Sequence, residues 1–488
     1  MRDFIQLFVN GKPHQVTGAQ ALWTLSDFLR IQLGLVGTKI VCNEGDCGAC
    51  SVLVGRRCQT NNELQYRSVD SCIVFMHQLD QAHVVSIEGL GEPQELSAVQ
   101  KAMVDCHGSQ CGYCTPGFVV AMHGLFEENE QAAMTLSDDC LRLGLSGNLC
   151  RCTGYVQIME AGRSVSATDV QSIKEKYATA PMMSVFGSLK DSPIKIDTGE
   201  QVVFMPRTLD QACEFKAEFP SARIVGGATD IGVQHNHGRP RGDVSMCLSQ
   251  VHELTEIVAD DDALVIGAAA TWTQILPYVD QRYPDFADVL LRFGSPQIRN
   301  LGTIGGNLAN ASPIADSIPF LYVVDAKLNL RSTAGTRQVS INDFYQGYKQ
   351  FDLQENELIE SIHCPRIDAQ ELKLYKISKR RDMDISTFTA AFLIGRDGDT
   401  ITDARIALGG VGPTVVRTRQ AEELLVGKEF SIETMRQAGK IAASEITPIS
   451  DVRGSDSYRS QLAENIFVKC FHDLVDSGGR SKRPGAAV

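Results

Sequence analysis

Eight of the fifteen cysteines in this 488-residue chain form two sets of four in its first third. The first set has the spacing C-x4-C-x2-C…C and consists of Cys42, Cys47, Cys50 and Cys72. The second set combines a C-x2-C pair with a C-x-C pair and consists of Cys111, Cys114, Cys150 and Cys152. The first spacing matches the plant-type pattern for a [2Fe-2S] cluster. The cysteines therefore predict two iron-sulfur sites and indicate electron transfer.

The residues between the cysteines fit the same interpretation. Three thiolates of the first set must face one cluster from a short loop, and Gly45 and Gly48 can adopt the φ values that such a loop needs. Small residues also let backbone N–H groups approach the sulfurs and tune the cluster potential. Structural zinc is the alternative, because it also uses four thiolates, usually in paired C-x2-4-C knuckles. Cys111 and Cys114 could form one such knuckle, but Cys150-x-Cys152 is tight for a second, and the first set is not arranged as two pairs.

The other cysteines are assigned no function. Free cysteine behaves as a small buried hydrophobe, so packing is the simplest expectation for them. They are Cys58, Cys106, Cys140, Cys213, Cys247, Cys364 and Cys470. Cys106 lies near enough to Cys111 in sequence to be a rival ligand, but Cys111 with Cys114 gives the better loop geometry.

The composition excludes several classes of protein. Apolar residues make up 43% and charged residues 22% of the chain, as in ordinary globular proteins. The net charge of −13 disfavours nucleic acid as a partner, because phosphate binding needs a basic surface. The sequence shows neither an apolar run long enough for a membrane span nor a secretory signal pattern. Since thiolate ligands persist best in a reducing compartment, we expect a cytoplasmic protein that does not associate with membranes.

The elements around the first cysteine set can be predicted from local patterns. Residues 3–9 alternate as in a strand, and Asn10-Gly11 favours a type I′ hairpin turn into a second strand. A helical stripe of apolar residues follows, with Thr24 or Ser26 as its N-cap. Strand, hairpin, helix and cysteine loop occur in this order in a β-grasp ferredoxin.

Further along, the pattern changes twice. Residues 97–161 show helical periods interrupted by the second cysteine set, which predicts a small helical domain. Residues 165–195 are rich in Ser, Thr, Lys and Pro without a clear period, which favours an interdomain linker.

Two glycine-rich segments follow the linker. A short strand at residues 222–225 leads into the first, at 226–232, and the second spans 299–310. Glycine pairs let successive backbone N–H groups converge on a phosphate. Neither segment reads G-x-G-x-x-G, so the Rossmann pattern is absent. Either segment alone is more often a tight turn, but two of them beside two electron carriers indicate a nucleotide cofactor.

These motifs together carry a family resemblance. The stretches that carry it are Cys42–Cys50, Gly108–Gly117, Gly147–Tyr155 and Ile304–Asp316. The chain resembles, over nearly its whole length, the small subunit of bacterial xanthine dehydrogenases in the molybdenum hydroxylase family. The resemblance implies that both cysteine sets hold [2Fe-2S] clusters and that the glycine segments hold FAD.

The resemblance also implies the fold, a multidomain α+β chain. A β-grasp [2Fe-2S] ferredoxin domain, a helical [2Fe-2S] domain, a two-subdomain α+β FAD-binding domain that is not a Rossmann fold, and an α+β C-terminal flavoprotein domain are expected. We place these four domains at residues 1–88, 89–164, 196–375 and 376–478, with the linker at 165–195 and a disordered tail at 479–488.

By the same resemblance, the two glycine segments contact FAD. The expected contacts are Ile224, Val225, Gly226, Gly227, Ala228, Thr229, Asp230, Ile231, Thr303, Ile304, Gly305, Gly306 and Asn307. Ala228 stands where the family often has Asn or Gly, so it offers backbone contacts only. Phe293, Asp316, Ile359 and Lys376 match further flavin positions, although the loop before Ile359 is one residue shorter than in relatives. Core packing is the simpler explanation for Phe293 and Ile359, and a helix N-cap for Asp316.

The implied activity is electron transfer within a larger enzyme. No stretch after residue 390 is long enough for a molybdopterin domain, so we expect the molybdenum cofactor on a partner large subunit, in a heterotetramer of two small and two large subunits. Electrons from purine oxidation would pass the second cluster, then the first, then FAD, and reach NAD. The chain itself then needs no acid or base catalyst. The loop Ser378–Ile385, with two arginines, would border the nicotinamide, although its mixed charges also suit a solvated turn.

Three other functions remain open at this stage. The partner could act on an aldehyde or an N-heterocycle instead of xanthine, because the substrate site lies outside these residues. The chain could be a stand-alone flavin NADH reductase. A zinc-bearing scaffold without redox activity would give a colourless protein.

Overall fold

The computed structural model describes residues 1–58, 61–128, 135–189, 192–240, 242–367 and 372–476. They form two compact units. Among the described residues, the first comprises Met1–His252 and Ser295–Gly302, and the second comprises Glu253–Gly294 and residues 303–476. The predicted disordered tail at 479–488 lies outside the described residues. The predicted domain boundaries remain predictions.

The first unit begins with a five-stranded sheet in the order β2-β1-β5-β3-β4. Its strands are β1 (Phe4–Val9), β2 (Lys12–Thr17), β3 (Ser51–Arg57), β4 (Leu64–Asp70) and β5 (His83–Val85). Strand β1 pairs antiparallel with β2 through the Asn10-Gly11 turn and parallel with β5. Helix α1 (Leu25–Asp27), with Thr24 as its N-cap, continues as a π-helical turn over Phe28–Gln32. The predicted strand, hairpin and capped helix are therefore confirmed.

The alternation in β1 reflects a strand that is covered on both faces. Ile5, Leu7 and Val9 point into one apolar core, and Phe8 points into another. Burial of both faces stabilises β1 between its two neighbours in the sheet, because each apolar side chain removed from water contributes about 1.5–3 kcal/mol. This sheet is the platform from which the first cysteine loop, residues 42–50, emerges.

The predicted helical domain is confirmed. Its helices are α2 (Ile87–Leu90), α3 (Ala98–Asp105), α4 (Thr115–Glu128), α5 (Asp138–Gly144) and α6 (Val156–Ser164). Ser97 and Ser137 cap α3 and α5 by accepting hydrogen bonds from backbone N–H groups three residues on. Helix α4 is buried on nearly all sides, which explains its uniformly apolar sequence. The second cysteine set flanks α4 and precedes α6.

The stretch predicted as a linker contains regular structure. Helices α7 (Ile173–Lys176) and α8 (Thr179–Leu189) lie within it, and Met182 and Phe186 of α8 join the core of the helical domain. A capping box formed by Ser172 and Glu175 starts α7. Both helices are short, so the sequence shows no long period.

A four-stranded mixed sheet completes the first unit, in the order β6-β7-β9-β8. Its strands are β6 (Ile194–Asp197), β7 (Val202–Met205), β8 (Arg223–Val225) and β9 (Val244–Cys247). Helix α9 (Leu209–Glu218) precedes β8, and helix α10 (Ile231–Asn236) follows the first glycine segment. The short helix α13 (Pro296–Arg299) also belongs to this unit.

The second unit contains a five-stranded antiparallel sheet, β10-β11-β16-β12-β13. Its strands are β10 (Ile257–Ala259), β11 (Ala263–Gly267), β12 (Lys327–Ser332), β13 (Gly335–Ser340) and β16 (Leu358–Pro365), and a small hairpin pairs β14 (Tyr345–Gly347) with β15 (Gln350–Phe351). Its helices are α11 (Trp272–Arg282), α12 (Pro284–Arg292), α14 (Ile304–Asn310), α15 (Ile318–Val323) and α16 (Ile341–Phe344).

A second antiparallel sheet in this unit has the order β17-β18-β19-β20. Its strands are β17 (Leu372–Ile377), β18 (Phe388–Asp397), β19 (Thr400–Gly409) and β20 (Val416–Arg417). Helices α17 (Arg419–Leu425), α18 (Ile432–Ser444) and α19 (Asp456–Asp476) follow, and their apolar residues form one core with the sheet. Within the described ranges, no helix is long and apolar enough to cross a membrane.

Candidate functional site

The first cysteine loop is shaped by left-handed residues. Asn43, Gly45 and Gly48 have φ values of 59°, 71° and 65°. A Cβ on Gly45 would lie 2.5 Å from Ile73 Cδ1, so only glycine fits there without displacing that side chain. The prediction that the two glycines supply unusual φ values is confirmed.

The four thiols of the first set lie close enough to interact. Hydrogen bonds from Cys47 and Cys72 lower the pKa of Cys42. The hydrogen bond to Cys42 raises the pKa of Cys47, and the hydrogen bonds to Cys42 and Cys50 raise that of Cys72. Four converging sulfurs on a loop with left-handed turns fit the ligand set of a [2Fe-2S] cluster, in which two irons share four thiolates.

A buried carboxyl group lies behind this thiol group. Asp70 is fully buried, and Cys50 Sγ donates a hydrogen bond to its Oδ1 over 3.6 Å. Burial raises the pKa of Asp70 to about 7, and the nearby charge of Cys42 adds to that shift. No sequence motif singles out Asp70, because its position behind Cys50 depends on the pairing of β3 with β4.

The second cysteine set is brought together from three segments. Cys152 Sγ lies 3.6 Å from Cys111 Sγ. Burial, followed by a hydrogen bond with Cys150, raises the pKa of Cys114 to about 12. Burial alone would raise the pKa of Cys150, but hydrogen bonds from Thr153 lower it overall. The rival ligand Cys106 instead faces Ser164, with 3.9 Å between Sγ and Oγ.

The two cysteine segments touch each other through the backbone. Leu149 N donates to Cys47 O over 2.9 Å, and Asn148 Nδ2 donates to Gly48 O over 3.0 Å. Gln297, which is fully buried, donates to Asn148 Oδ1 over 2.9 Å. One hydrogen bond therefore joins Cys47 of the first set to Leu149, the residue before Cys150.

The first glycine segment lies in the first unit, between β8 and α10. A Cβ on Gly227 would collide with the carbonyl oxygen of Leu301, so a side chain cannot be accommodated there. Ala228 has a φ of 61°, a conformation that glycine and asparagine adopt more readily than alanine. Among the described residues, the N–H groups of 226–229 make no hydrogen bond, so they are available to a phosphate.

The second glycine segment forms the start of a helix instead of a tight turn. Thr303 is the N-cap of α14, and Ile304, Gly305, Gly306 and Asn307 form its first turn. Their N–H groups already have partners: Ile304 and Gly305 donate to the carbonyl groups of Ala270 and Ala268, Gly306 donates to Thr303 Oγ1, and Asn307 donates to Thr303 O. The predicted convergence of free N–H groups is therefore wrong for this segment. What remains open to a ligand is the side of Gly306 that carries no Cβ.

Asp316 and Lys376 are brought together in the second unit. Lys376 Nζ lies 2.7 Å from Asp316 Oδ2, and its other hydrogen bonds go to Asp384 O and Ser386 Oγ, each 2.7 Å away. Ser386 Oγ donates to Asp316 Oδ1 over 2.6 Å. Asp316 is not a helix N-cap, since that position of α15 belongs to Ser317. Two flavin positions implied by the resemblance thus form one buried ion pair.

Phe293 and Ile359 lie at the apolar core of the second unit. Phe293 packs edge-to-face on Trp272, with 5.1 Å between ring centroids. Ile359 is 7% exposed and pairs with Leu330 across β16 and β12. Core packing describes both residues, and their assignment as flavin contacts remains a prediction.

The arginine-bearing loop after β17 is a structured turn. Arg380 Nε donates to Asp384 Oδ1 over 2.6 Å, and Arg380 N donates to Asp384 Oδ2 over 2.8 Å. Met383, with a φ of 65°, donates its N–H to Arg292 O. Although burial opposes it, the hydrogen bonds from Arg380 lower the pKa of Asp384. The neighbouring Arg381 is exposed.

Four family models match the chain in succession. They are a 2Fe-2S iron-sulfur cluster binding domain over residues 7–76, a [2Fe-2S] binding domain over 86–163, an FAD binding domain in molybdopterin dehydrogenase over 196–367, and a CO dehydrogenase flavoprotein C-terminal domain over 373–474. The predicted fold class is thereby confirmed. The first two models favour iron-sulfur clusters over zinc.

Curated relatives are similar along almost the whole chain. Xanthine dehydrogenase 1 of Arabidopsis thaliana is 29% identical over 536 residues, which cover 95% of this chain and 39% of that protein. Xanthine dehydrogenase/oxidase of Mus musculus is 28% identical, with 99% and 40% covered. The chain thus spans about two fifths of the length of these relatives.

Solved structures give a matching result for part of the chain. A carbon monoxide dehydrogenase chain from Hydrogenophaga pseudoflava superposes with a TM-score of 0.54 and 26% identity, covering 56% of this chain and 96% of that one. Quinoline 2-oxidoreductase from Pseudomonas putida 86 gives a TM-score of 0.52 and 28% identity, covering 56% and 96%. The chain therefore combines two [2Fe-2S] domains, an FAD-binding domain and a C-terminal flavoprotein domain, the combination that matches the xanthine dehydrogenase and molybdenum hydroxylase family.

Proposed function

We propose that this chain is the electron-transfer subunit of an NAD-dependent xanthine dehydrogenase, with the molybdenum cofactor on a partner polypeptide. Electrons from purine oxidation enter at the second cysteine set, pass to the first, reach FAD and leave as hydride on NAD. Bound FAD supplies the step that exchanges single electrons for an electron pair. The similarity to xanthine dehydrogenases over 95% or more of the chain supports this choice of family member.

The observation that carries the proposal is the contact between the cysteine segments. Leu149 N donates to Cys47 O over 2.9 Å, and Leu149 is directly followed by Cys150. Helix α10 contacts the segment of Cys72, because Asn236 Nδ2 donates to Cys72 O over 2.9 Å. The first set thus contacts both the second cysteine segment and the helix that follows the first glycine segment. This order supports a relay in which the first cluster is intermediate.

Exposure supports electron entry at the second set. Cys111 and Cys152 are exposed, whereas Cys47, Cys50 and Cys72 are buried. Large apolar side chains near the second set are also exposed, among them Tyr113 at 52% and Val156 at 59%. A partner that covers such a surface would bring its electron donor near the second cluster. A heterotetramer of two small and two large subunits, located in the cytoplasm, belongs to the same proposal.

The acceptor end of the relay is assigned to the second unit. Lys376 holds the end of the loop 378–385 through Asp384 O and Ser386. A loop with two arginines beside a flavin favours its anionic reduced form and attracts dinucleotide phosphates. We therefore propose NAD rather than oxygen as the acceptor.

A second substrate class is favoured by one comparison. Quinoline 2-oxidoreductase is 28% identical to this chain over the superposed part, about as similar as the xanthine dehydrogenases are. An N-heterocycle other than a purine is therefore the alternative substrate of the assembled enzyme.

The proposal is tested by isolating the native assembly and assaying it. Purification through a tag on this chain should recover a molybdenum-containing partner in equal amount, and the complex should reduce NAD with xanthine. Native mass measurement gives the stoichiometry. Reduction of NAD with quinoline but not xanthine would select the alternative substrate, and full NADH oxidation by the chain alone with no partner would overturn the proposal.

A further inference from the structure

We infer that Asn236 is a positioning residue for the first cluster, which it holds from outside the ferredoxin-like sheet. The inference rests on the proposed function in one respect, since it takes Cys42 and Cys72 as cluster ligands. Its basis is a pair of hydrogen bonds that tie both ligand segments to the end of α10.

The amide group of Asn236 donates twice. Its Nδ2 lies 2.8 Å from Asn43 O and 2.9 Å from Cys72 O. An asparagine NH2 group has two donors, and each of them meets a backbone carbonyl group here. If the amide group were flipped, its oxygen would face two carbonyl oxygens, which cannot donate a hydrogen bond to it. The two contacts therefore fix the orientation of the amide group.

The two carbonyl groups belong to segments that are distant in sequence. Asn43 follows Cys42 and has a left-handed φ of 59°, whereas Cys72 lies in a short 3-10 helix after β4. Cys47 is tied instead to the second cysteine segment, through Leu149 N. Asn236 therefore links the backbone at the Cys42 end of the loop to the backbone of Cys72.

Helix α10 is in close contact with the same region. A Cβ on Gly232 would lie 2.5 Å from Ile73 O, so glycine lets the helix approach the backbone next to Cys72. Val233 packs against the cluster of Cys50, Cys72 and Ile73. Since α10 begins at Ile231, where the first glycine segment ends, the residues that contact the ferredoxin-like loop are continuous with those expected to contact FAD.

This arrangement makes geometry, rather than charge, the contribution of Asn236. A neutral amide that fixes two carbonyl groups restricts the distance between Cys42 and Cys72, and ligand geometry affects both the potential and the retention of a cluster. Gln234, two residues earlier, instead accepts a hydrogen bond from Arg223 of β8 and donates one to Asp230. His237 also reaches this loop, with Nε2 2.7 Å from Glu44 Oε1, but Asn236 contacts the backbone carbonyl groups of both ligand segments.

Two variants separate the donor function from simple packing. Asn236→Ala removes both donors, and Asn236→Asp keeps the shape but cannot donate when ionised. In both we expect an altered electron paramagnetic resonance signal and a shifted midpoint potential for one cluster, and faster release of that cluster's two irons to a chelator. The other cluster and the FAD content should stay unchanged. Asn329→Ala, which removes a hydrogen bond to Ser361 within the β12–β16 sheet, is the matched control and should alter neither cluster.

Each outcome decides a different point. Normal signals in both variants would overturn the inference, as would a change in Asn236→Asp alone, which would reflect added charge. A change in Asn236→Ala alone would reduce Asn236 to a packing residue. Loss of both clusters would show a folding role instead. If the unaltered chain holds no iron, the proposed function fails before Asn236 is tested.

Discussion

Lys376 and Asp316 form a buried ion pair, with 2.7 Å between Nζ and Oδ2 and side-chain exposures of 1% and 6%. All three ammonium hydrogens of Lys376 are engaged, since Asp384 O and Ser386 Oγ accept the other two. The lysine therefore has no donor left for a ligand. Its effect on a bound flavin would come from its position and from the loop it holds.

The ion pair gives a first prediction about stability. Lys376→Met should destabilise the second unit by about 3–5 kcal/mol, because it leaves Asp316 as an unpaired buried charge. The double variant Lys376→Met with Asp316→Leu should lose less unfolding free energy than either single variant. Denaturant unfolding followed by tryptophan fluorescence measures these losses. In a Trp23→Phe background the signal comes from Trp272, which lies in the second unit. A double variant whose loss equals the sum of the single losses would show that the pair is not coupled.

The second prediction concerns the ligands of the second cluster. Cys111→Ser should remove one of two electron paramagnetic resonance signals and two of four irons, since Cys111 lies 3.6 Å from Cys152. Cys106→Ser is the matched control, because Cys106 faces Ser164 instead. It should leave the iron content and both signals unchanged. If Cys106→Ser lost the signal and the two irons while Cys111→Ser kept them, Cys106 would be the ligand.

A third prediction uses adjacent glycines in α14. Gly306→Val should abolish FAD binding while the flavin-free chain stays folded, because the added Cβ meets only Thr303 Oγ1, at 2.9 Å. Gly305→Ala should instead destabilise the second unit, since its Cβ would lie 2.6 Å from Ala268 O. Flavin fluorescence after denaturation and thermal unfolding separate the two effects. Full flavin occupancy in Gly306→Val would remove this segment from the flavin site.

The fourth prediction addresses the acceptor loop. Arg381→Ala should raise the Michaelis constant for NAD about tenfold, as expected for one charge-assisted hydrogen bond of about 1.5 kcal/mol. Arg380→Ala should act less on NAD, because Asp384 already pairs with Arg380. Steady-state assays of the assembled enzyme measure both. If the two substitutions together leave the constant unchanged, the loop is not the acceptor site.

The pH dependence of the same loop gives a fifth prediction. The folded-state pKa of Asp384 is lowered, so its pairing contributes stability above the ordinary carboxyl pKa of about 3.9 and loses it as pH falls through the lower folded value. The contribution of the loop to NAD binding should therefore be constant between about pH 5 and 8. Comparing the Michaelis constant for NAD across that range in the unaltered enzyme and in Asp384→Asn checks this. A pH-dependent difference between the two would contradict it.

Much of the fold could be predicted because its signals are local. The Asn10-Gly11 turn, the Thr24 cap and the Ser97–Gln100 capping box each depend on a few adjacent residues. The helix that starts at Thr303 was not predicted. Threonine is a preferred N-cap residue, and here its side chain accepts a hydrogen bond from Gly306 N. The two adjacent glycines drew attention to phosphate binding instead.

Residues whose importance depends on distant contacts could not be found from the sequence. Asn236, Asp70 and Gln297 have ordinary neighbours in the chain. They matter because they meet Cys72, Cys50 and Asn148, up to 164 positions away. Single-sequence patterns report secondary structure and motif spacing, and they do not report which side chain a distant backbone carbonyl group will meet.

The central claim, that the first cluster lies between FAD and the second cluster, is tested most directly by rapid reduction of a Cys47→Ser variant with NADH. In the unaltered chain, NADH should reduce FAD and then both clusters. In Cys47→Ser, the flavin should be reduced at the normal rate while the second cluster stays oxidised over the same time, because its link through Cys47 is lost. Reduction of the second cluster at the unaltered rate in that variant would contradict the proposed order.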